Sequence, residues 1–281
     1  MNRLVFSAYA INYREYDRLK KLLDACSFAN MGAELNMFTK TSSFPEFMDE
    51  LATVSDKFAP YYVTFHGPFK ELEATSPLDS EAHAIMVEGY KQAFQFCKDF
   101  SAHGIVMHTN EKIQLTDENS ALKNNCIATI KEIGEIAQTA GVKLQVENVG
   151  FPLNKNVLFP MEDFIQLFDE IPDDIGCLID VGHAFANNWD LAELIKRLGT
   201  RITSYHIHNN DGVHDSHRMI FEEGLYYSKE DWKKLFVVME KYSPDADWIL
   251  EYSPKNDITV ENVVGEVKEI LAMLDMTPKA E

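Results

Sequence analysis

The chain has 281 residues, with 26 Lys and Arg against 45 Asp and Glu and a formal charge of −19. That balance argues against a generic nucleic-acid or anionic-membrane binder, which needs a basic face. With 46% hydrophobic and 11% aromatic residues, 13 Gly and 10 Pro, the composition is neither disordered nor fibrous and supplies a sizeable core.

In chain order, short β-rich apolar runs alternate with segments of helical spacing. The runs are 4–10, 32–38, 61–67, 104–109, 142–149, 175–182, 202–209 and 248–253. The predicted helices are 13–29, 44–58, 78–101, 118–140, 160–170, 190–198, 228–242 and 259–275. Start signals stand at Asp79 or Ser80 before Glu81, at Asp117 before Glu118, and at Ser228 before Lys229, Glu230 and Asp231. Eight strand–helix repeats without a Pro/Gly/Ser linker, their runs buried on both faces, indicate an α/β protein. The expected architecture is one (β/α)8 TIM barrel forming a single domain over 1–281. A doubly wound sheet is the competitor, but neither G-x-G-x-x-G nor G-x-x-x-x-G-K-[ST] occurs. Cys26, Cys97, Cys126 and Cys177 are far apart and form no C-x-x-C, against a disulfide framework or thiolate zinc site. The apolar stretch Leu4 to Ile11 is too short for a signal peptide, and no run approaches the roughly 18 apolar residues of a membrane span. A cytoplasmic location is expected.

Barrel active sites are built at the C-terminal ends of the strands. There the sequence places His66, His108, Glu147, Asp180 with His183, His206 with His208, and Glu251, on six consecutive strands from the third to the eighth. The loop after the seventh adds Asp211, His214, Asp215 and His217. One such residue alone is more often a cap or a rim side chain. Several converging on one apolar mouth are costly to bury without a cation. Mixed His/Asp/Glu ligation without thiolate suits Zn²⁺, Mn²⁺ or Fe²⁺ better than Ca²⁺. The other candidates read as structural. His83 is a partly exposed helix residue, His103 lies at the opposite end of the barrel, and Cys177 belongs to the barrel wall. His206 is an interior histidine one layer below the rim, hydrogen-bonded rather than ligating, with support of the ligands from behind as its functional reading, and Glu222 and Glu223 are read as solvated loop charges rather than as groups touching the site. No G-x-S-x-G elbow is present, and no Cys stands beside a His at a strand end, so covalent Ser or Cys catalysis is unsupported.

The segments FHGPF at 65–69, MHTN at 107–110, VENVG at 146–150, IDVGHAF at 179–185, HIHNNDGVHDSH at 206–217 and ILEYS at 249–253 carry a resemblance. Over essentially its whole length the chain resembles the xylose isomerase-like superfamily of TIM barrels. That group contains the AP endonuclease family 2 (endonuclease IV) enzymes and many sugar and sugar-phosphate isomerases and epimerases. The resemblance implies a core metal held by Glu147, Asp180, His208 and Glu251. Its endonuclease IV branch implies a trinuclear zinc cluster, with His66 and His108 on a second ion, His183, Asp215 and His217 on a third, and Glu147 bridging. One to three divalent ions, Zn or Mn, are therefore expected. NMFTK at 36–40 also looks like that branch, but Thr41-Ser42-Ser43-Phe44-Pro45 follows where its DNA-contacting loop has Asn, Arg and Trp. The first strand is followed by Asn12-Tyr13-Arg14-Glu15 rather than a Gly-rich turn.

The first activity implied is a metal-dependent sugar or sugar-phosphate isomerase or epimerase. Glu147 and Glu251 would move the proton and His183 would grip substrate hydroxyls. The alternative is an endonuclease IV-like phosphodiesterase in which Glu147 orients or deprotonates the attacking water. A binding protein with a degenerate site is a third reading, against which the complete ligand set argues. The acidic charge and the missing basic loop place the isomerase first, with a small carbohydrate or sugar phosphate as partner rather than nucleic acid or membrane. A homo-oligomer is left open.

Overall fold

Each of the eight apolar runs contributes one strand to the computed structural model, which describes residues 3–11, 15–37, 44–68, 72–113, 115–116 and 119–275. They are β1 (Leu4–Ser7), β2 (Gly32–Asn36), β3 (Val63–His66), β4 (Gly104–His108), β5 (Lys143–Glu147), β6 (Gly176–Asp180), β7 (Ile202–Ile207) and β8 (Asp247–Leu250). All neighbours pair in parallel, and β8 closes on β1, so the sheet is a barrel without an edge. The helices are α1 (Tyr16–Ala25), α2 (Phe44–Ala52), α3 (Ser55–Phe58), α4 (Glu81–Asp99), α5 (Ser120–Ala140), α6 (Met161–Glu170), α7 (Val181–Ala186), α8 (Leu191–Leu198), α9 (Lys229–Tyr242) and α10 (Val260–Asp275).

The two faces of the strands bury different chemistry. Outward residues such as Ile105, Val146, Cys177, Tyr205 and Trp248 join the helix side chains in one large apolar core. Inward, Val5, Val106, Leu178 and Ile249 form a separate small cluster. Period-two alternation then puts Ser7, His108, Asp180 and Glu251 two residues further along the same inward rows. The barrel is therefore apolar at this inner layer and polar above it, toward the C-terminal mouth.

Several predicted elements differ in detail. The segment read as helix 44–58 breaks between Ala52 and Ser55. The sixth strand was expected to run to Gly182 but stops at Asp180, whose carboxylate accepts the His183 N–H at 2.7 Å and caps α7. Ser80 caps α4 through its hydroxyl, and Ser228 forms a reciprocal capping box with Asp231 on α9. Asp117 lies outside the described residues, and Asn119 holds the cap position of α5 with its side chain bonded back to Thr116 rather than to the helix. His83 is buried rather than partly exposed: its Nε2 meets Glu132 at 2.9 Å and its Nδ1 meets Thr129 at 3.3 Å, tying α4 to α5. His103 stacks on Tyr62 just ahead of β4, as its place opposite the mouth requires. All four cysteines are free and buried. No described helix is long and apolar enough to cross a membrane.

Candidate functional site

The mouth of the barrel collects all nine histidines and carboxylates expected there, and the local sequence explains how each is aimed. His66, His108, Glu147 and Asp180 are the last inward residues of β3 to β6, and His208 and Glu251 follow β7 and β8. The Asn148 side chain staples two of these strand ends: its Oδ1 accepts the Asp180 N–H at 2.8 Å and its Nδ2 donates to the Asp180 carbonyl at 3.0 Å. Gly182 lets His208 approach closely, since a Cβ there would stand 1.9 Å from the imidazole Cε1. After β7 the chain leaves and returns through a two-bond bridge. The Asn209 N–H donates to Arg218 O at 2.9 Å and the Arg218 N–H to Asn209 O at 2.8 Å. Within the span so closed, Gly212 (φ 80°) supplies a tight turn and His217 adopts φ 44°, a left-handed conformation uncommon for a side-chain-bearing residue. Asp211 and His214 are exposed and serve the turn, with Asp211 accepting the Val213 and His214 N–H groups.

The ligand-type atoms fall into groups lying within 4.8 Å of one another: His66, His108 and Glu147; His183, Asp215 and His217; His208, His217 and Glu251; Glu147, Asp180 and His206; and His66, His206 and Glu251. His66 Nε2 and His108 Nε2 are 3.1 Å apart, and Glu147 Oε2 lies 3.5 Å and 3.1 Å from them. Asp215 is 3.0 Å from His217 Nε2 and 3.7 Å from His183 Nε2. Asp180 meets His208 Nε2 at 3.2 Å.

The opposite edges of four of these rings are engaged. Nδ1 of His66 faces Gly67 O at 3.3 Å, that of His183 faces Asn148 O at 2.8 Å, and that of His217 faces Glu251 O at 3.0 Å. His108 Nδ1 pairs with the Glu111 carboxylate. A ring whose Nδ1–H is donated outward presents its Nε2 lone pair inward, the arrangement that orients metal-bound histidines. Glu147 Oε2 and His208 Nδ1 are buried with no hydrogen-bond partner. Facing imidazole nitrogens, carboxylate oxygens and orphaned acceptors form a set that a divalent cation fits.

Burial would push the Glu147 carboxyl up, but His206 and His108 hold it well below the usual range. Asp215 is likewise driven down against burial by His217 and His183. Burial lowers the imidazoles, yet Glu111 and Glu147 raise His108 to about 10, and Asp215 raises His217 to about 9. The groups open onto a cavity of about 460 Å³, walled also by Tyr9, Phe151, Asn110, Asn154 and Asn156. Phe151 sets its ring edge against His183 at 4.9 Å and Tyr9 lies 5.1 Å from His217. These two rings give the cavity an apolar flank.

Glu34, Glu111 and Asn148 were missed by the sequence reading. Glu34 had a signal, a lone carboxylate inside the apolar run of β2. Glu111 follows His108 by three residues on an irregular loop, where no periodicity marks it. His206 is interior as expected, but it also reaches two of the ligand groups. Glu222 is not merely solvated, because it pairs with Arg218 at the base of the bridged loop. Phe38 to Ser43 and Asn12 to Arg14, where the chain departs from the DNA-contacting pattern, lie outside the described residues.

A family model described as "Xylose isomerase-like TIM barrel" matches residues 28–274. An uncharacterized protein of Methanocaldococcus jannaschii is 26% identical over 170 residues, 59% of this chain and 57% of that one. Inosose isomerase of Bacillus licheniformis is 28% identical over 137 residues, 47% of each chain, so these alignments span only about half of the relatives' length. Among solved structures, a D-tagatose 3-epimerase-like protein superposes with a TM-score of 0.74 at 20% identity, covering 98% of this chain and 97% of that one. The IolI protein with a bound zinc atom gives a TM-score of 0.74 at 17% identity, covering 99% and 100%.

Proposed function

Because the chain belongs to the xylose isomerase-like TIM-barrel family, we propose that it is a divalent-metal-dependent isomerase or epimerase of a small sugar or sugar phosphate. The observation that carries this reading is the pair of buried carboxylates, Glu147 on β5 and Glu251 after β8, reaching one cavity from strands three apart in an eight-stranded barrel. Glu147, Asp180, His208 and Glu251 would hold the metal, Zn or Mn. When bound, it supplies polarisation of a substrate carbonyl, which acidifies the adjacent C–H. One carboxylate takes that proton and the other returns one from the opposite side. His183, its Nδ1 anchored on Asn148, presents Nε2 to a substrate hydroxyl. The inosose isomerase and D-tagatose 3-epimerase-like relatives support the substrate class. The zinc of the IolI structure supports the metal. On the same reading residues 1–281 act as one catalytic domain, and four free cysteines fit a reducing cytoplasm.

The test is metal analysis of the purified protein, then incubation with D-tagatose, D-psicose and an inosose in deuterated water. Deuterium entering recovered sugar, abolished by chelation, is the expected result. A second reading is favoured by the two outer groups, His66 with His108 and His183 with Asp215 and His217, which suit an endonuclease IV-like zinc phosphodiesterase. Chelator-sensitive cleavage of an abasic-site duplex, with no label in sugars, would put that reading first.

A further inference from the structure

Glu34 is fully buried inside the barrel, and its inward register aligns it with Ser7 on β1 and Thr64 on β3. A carboxylate in such a place is costly unless something holds it. What holds it is His206: Glu34 Oε1 lies 3.1 Å from the imidazole Nε2, while Oε2 has no hydrogen-bond partner. The other edge of the same ring faces the two carboxylates assigned to proton transfer, with Asp180 Oδ2 further off at 3.9 Å. His206 Nδ1 is 3.3 Å from Glu147 Oε1 and 3.2 Å from Glu251 Oε2. The ring is fully buried and stacks on His66 at 5.6 Å, so its plane is fixed as well as its ends.

We propose, on the isomerase reading above, that Glu34 is a positioning residue: it clamps His206 so that Nδ1 engages one oxygen of Glu147 and one of Glu251. The physical argument is one of oxygen choice. A carboxylate has two oxygens, and a hydrogen bond to one of them selects the other for ligation or proton transfer. With Oε1 of Glu147 tied to His206, Oε2 is the oxygen left facing His66 and His108. A single ring nitrogen shared between Glu147 and Glu251 also ties the orientation of one to that of the other, across three strands. Glu34 holds the ring by its opposite edge and is not among the residues that wall the cavity.

The experiment compares wild type, E34L and E34Q as zinc-loaded, ¹⁵N-histidine-labelled protein. The wild type is expected to show a slowly exchanging imidazole Nε2–H resonance that is lost in E34L and retained, shifted upfield, in E34Q, whose neutral amide accepts more weakly. In turnover of D-tagatose, D-psicose or an inosose, E34L is expected to lose about 10- to 100-fold in kcat, the usual penalty for removing such a supporting partner, with KM within about twofold. E34Q is expected to recover most of that loss. Imidazole resonances in E34L identical to wild type overturn the proposal, as does a wild-type kcat in E34L. Should E34L fail to fold, the decision passes to E34Q, in which an upfield shift of the resonance supports the proposal and an unchanged one overturns it. Failure of the wild type to turn over any of these sugars counts against the isomerase reading alone, because the resonances decide the placement of Glu34 without activity.

Discussion

Glu147 and Glu251 share one neighbour, His206, and one required property: each is buried and lines the cavity with one oxygen on that ring. Glu147→Gln and Glu251→Gln are each expected to lower kcat by about 10² to 10⁴-fold, the range of general acid–base catalysis, while circular dichroism stays native. Near-normal turnover in either variant removes that residue from the proton path. Gly182→Ala tests a different demand, because the new methyl falls on the fully buried ring of His208 and must displace it. It should cost about 1–3 kcal/mol in urea unfolding and weaken zinc binding, and unchanged affinity would show that His208 does not ligate. Seven of the nine rim residues were legible because polar side chains ending apolar runs stand out, whereas Asp215 and His217 lie on the loop after the seventh run and were marked as ligands by the family resemblance alone. Glu111 was not, since its contact with His108 depends on how a loop folds back. His83 was misread because the helix pattern does not say which neighbouring helix covers a given face.

The elements were legible in kind and order except α7, which was not expected, and their ends were not legible; the sixth strand shows why. Val181 and Gly182 fit a strand as well as a helix start, and only the cap geometry of Asp180 decides. Ser228→Ala should cost about 1 kcal/mol of stability in urea unfolding, as one half of the α9 capping box is lost. A change within error would show that the box is redundant with the packing of Trp232 and Phe236. The loop after β7 carries its own expectation: Asp215→Ala/His217→Ala should remove one equivalent of metal and leave the core group loaded, as measured by elemental analysis. Unchanged metal content would deny a separate ion at His183, Asp215 and His217.

At the scale of the molecule, two linkages to pH run in opposite directions. A metal at His108 and His217 must displace protons from rings raised to about 10 and about 9, so its affinity should strengthen as pH rises from 6 to 8. Competition with a calibrated chelator reads this, and a flat profile would exclude these histidines as ligands. Glu266 behaves oppositely. On α10 it accepts the Phe221 N–H and the Tyr252 hydroxyl, and burial raises it to about 7 from an ordinary 4.5. The folded state then keeps a proton that the unfolded chain releases. The stability it contributes is full below about pH 4.5 and is lost as pH rises toward 7. Glu266→Gln should flatten that part of the stability curve, seen as a smaller difference in urea midpoint between pH 5 and pH 8. The bridge between Asn209 and Arg218 has a further consequence for how such a molecule can diversify. Because two backbone hydrogen bonds close the segment at its base, Asp215 and His217 sit on a cassette that can be rewritten or exchanged without disturbing the register of the eight strands. A lineage built on this barrel can thus gain or shed an outer ligand set in one small insertion while the inherited floor of the mouth stays as it was.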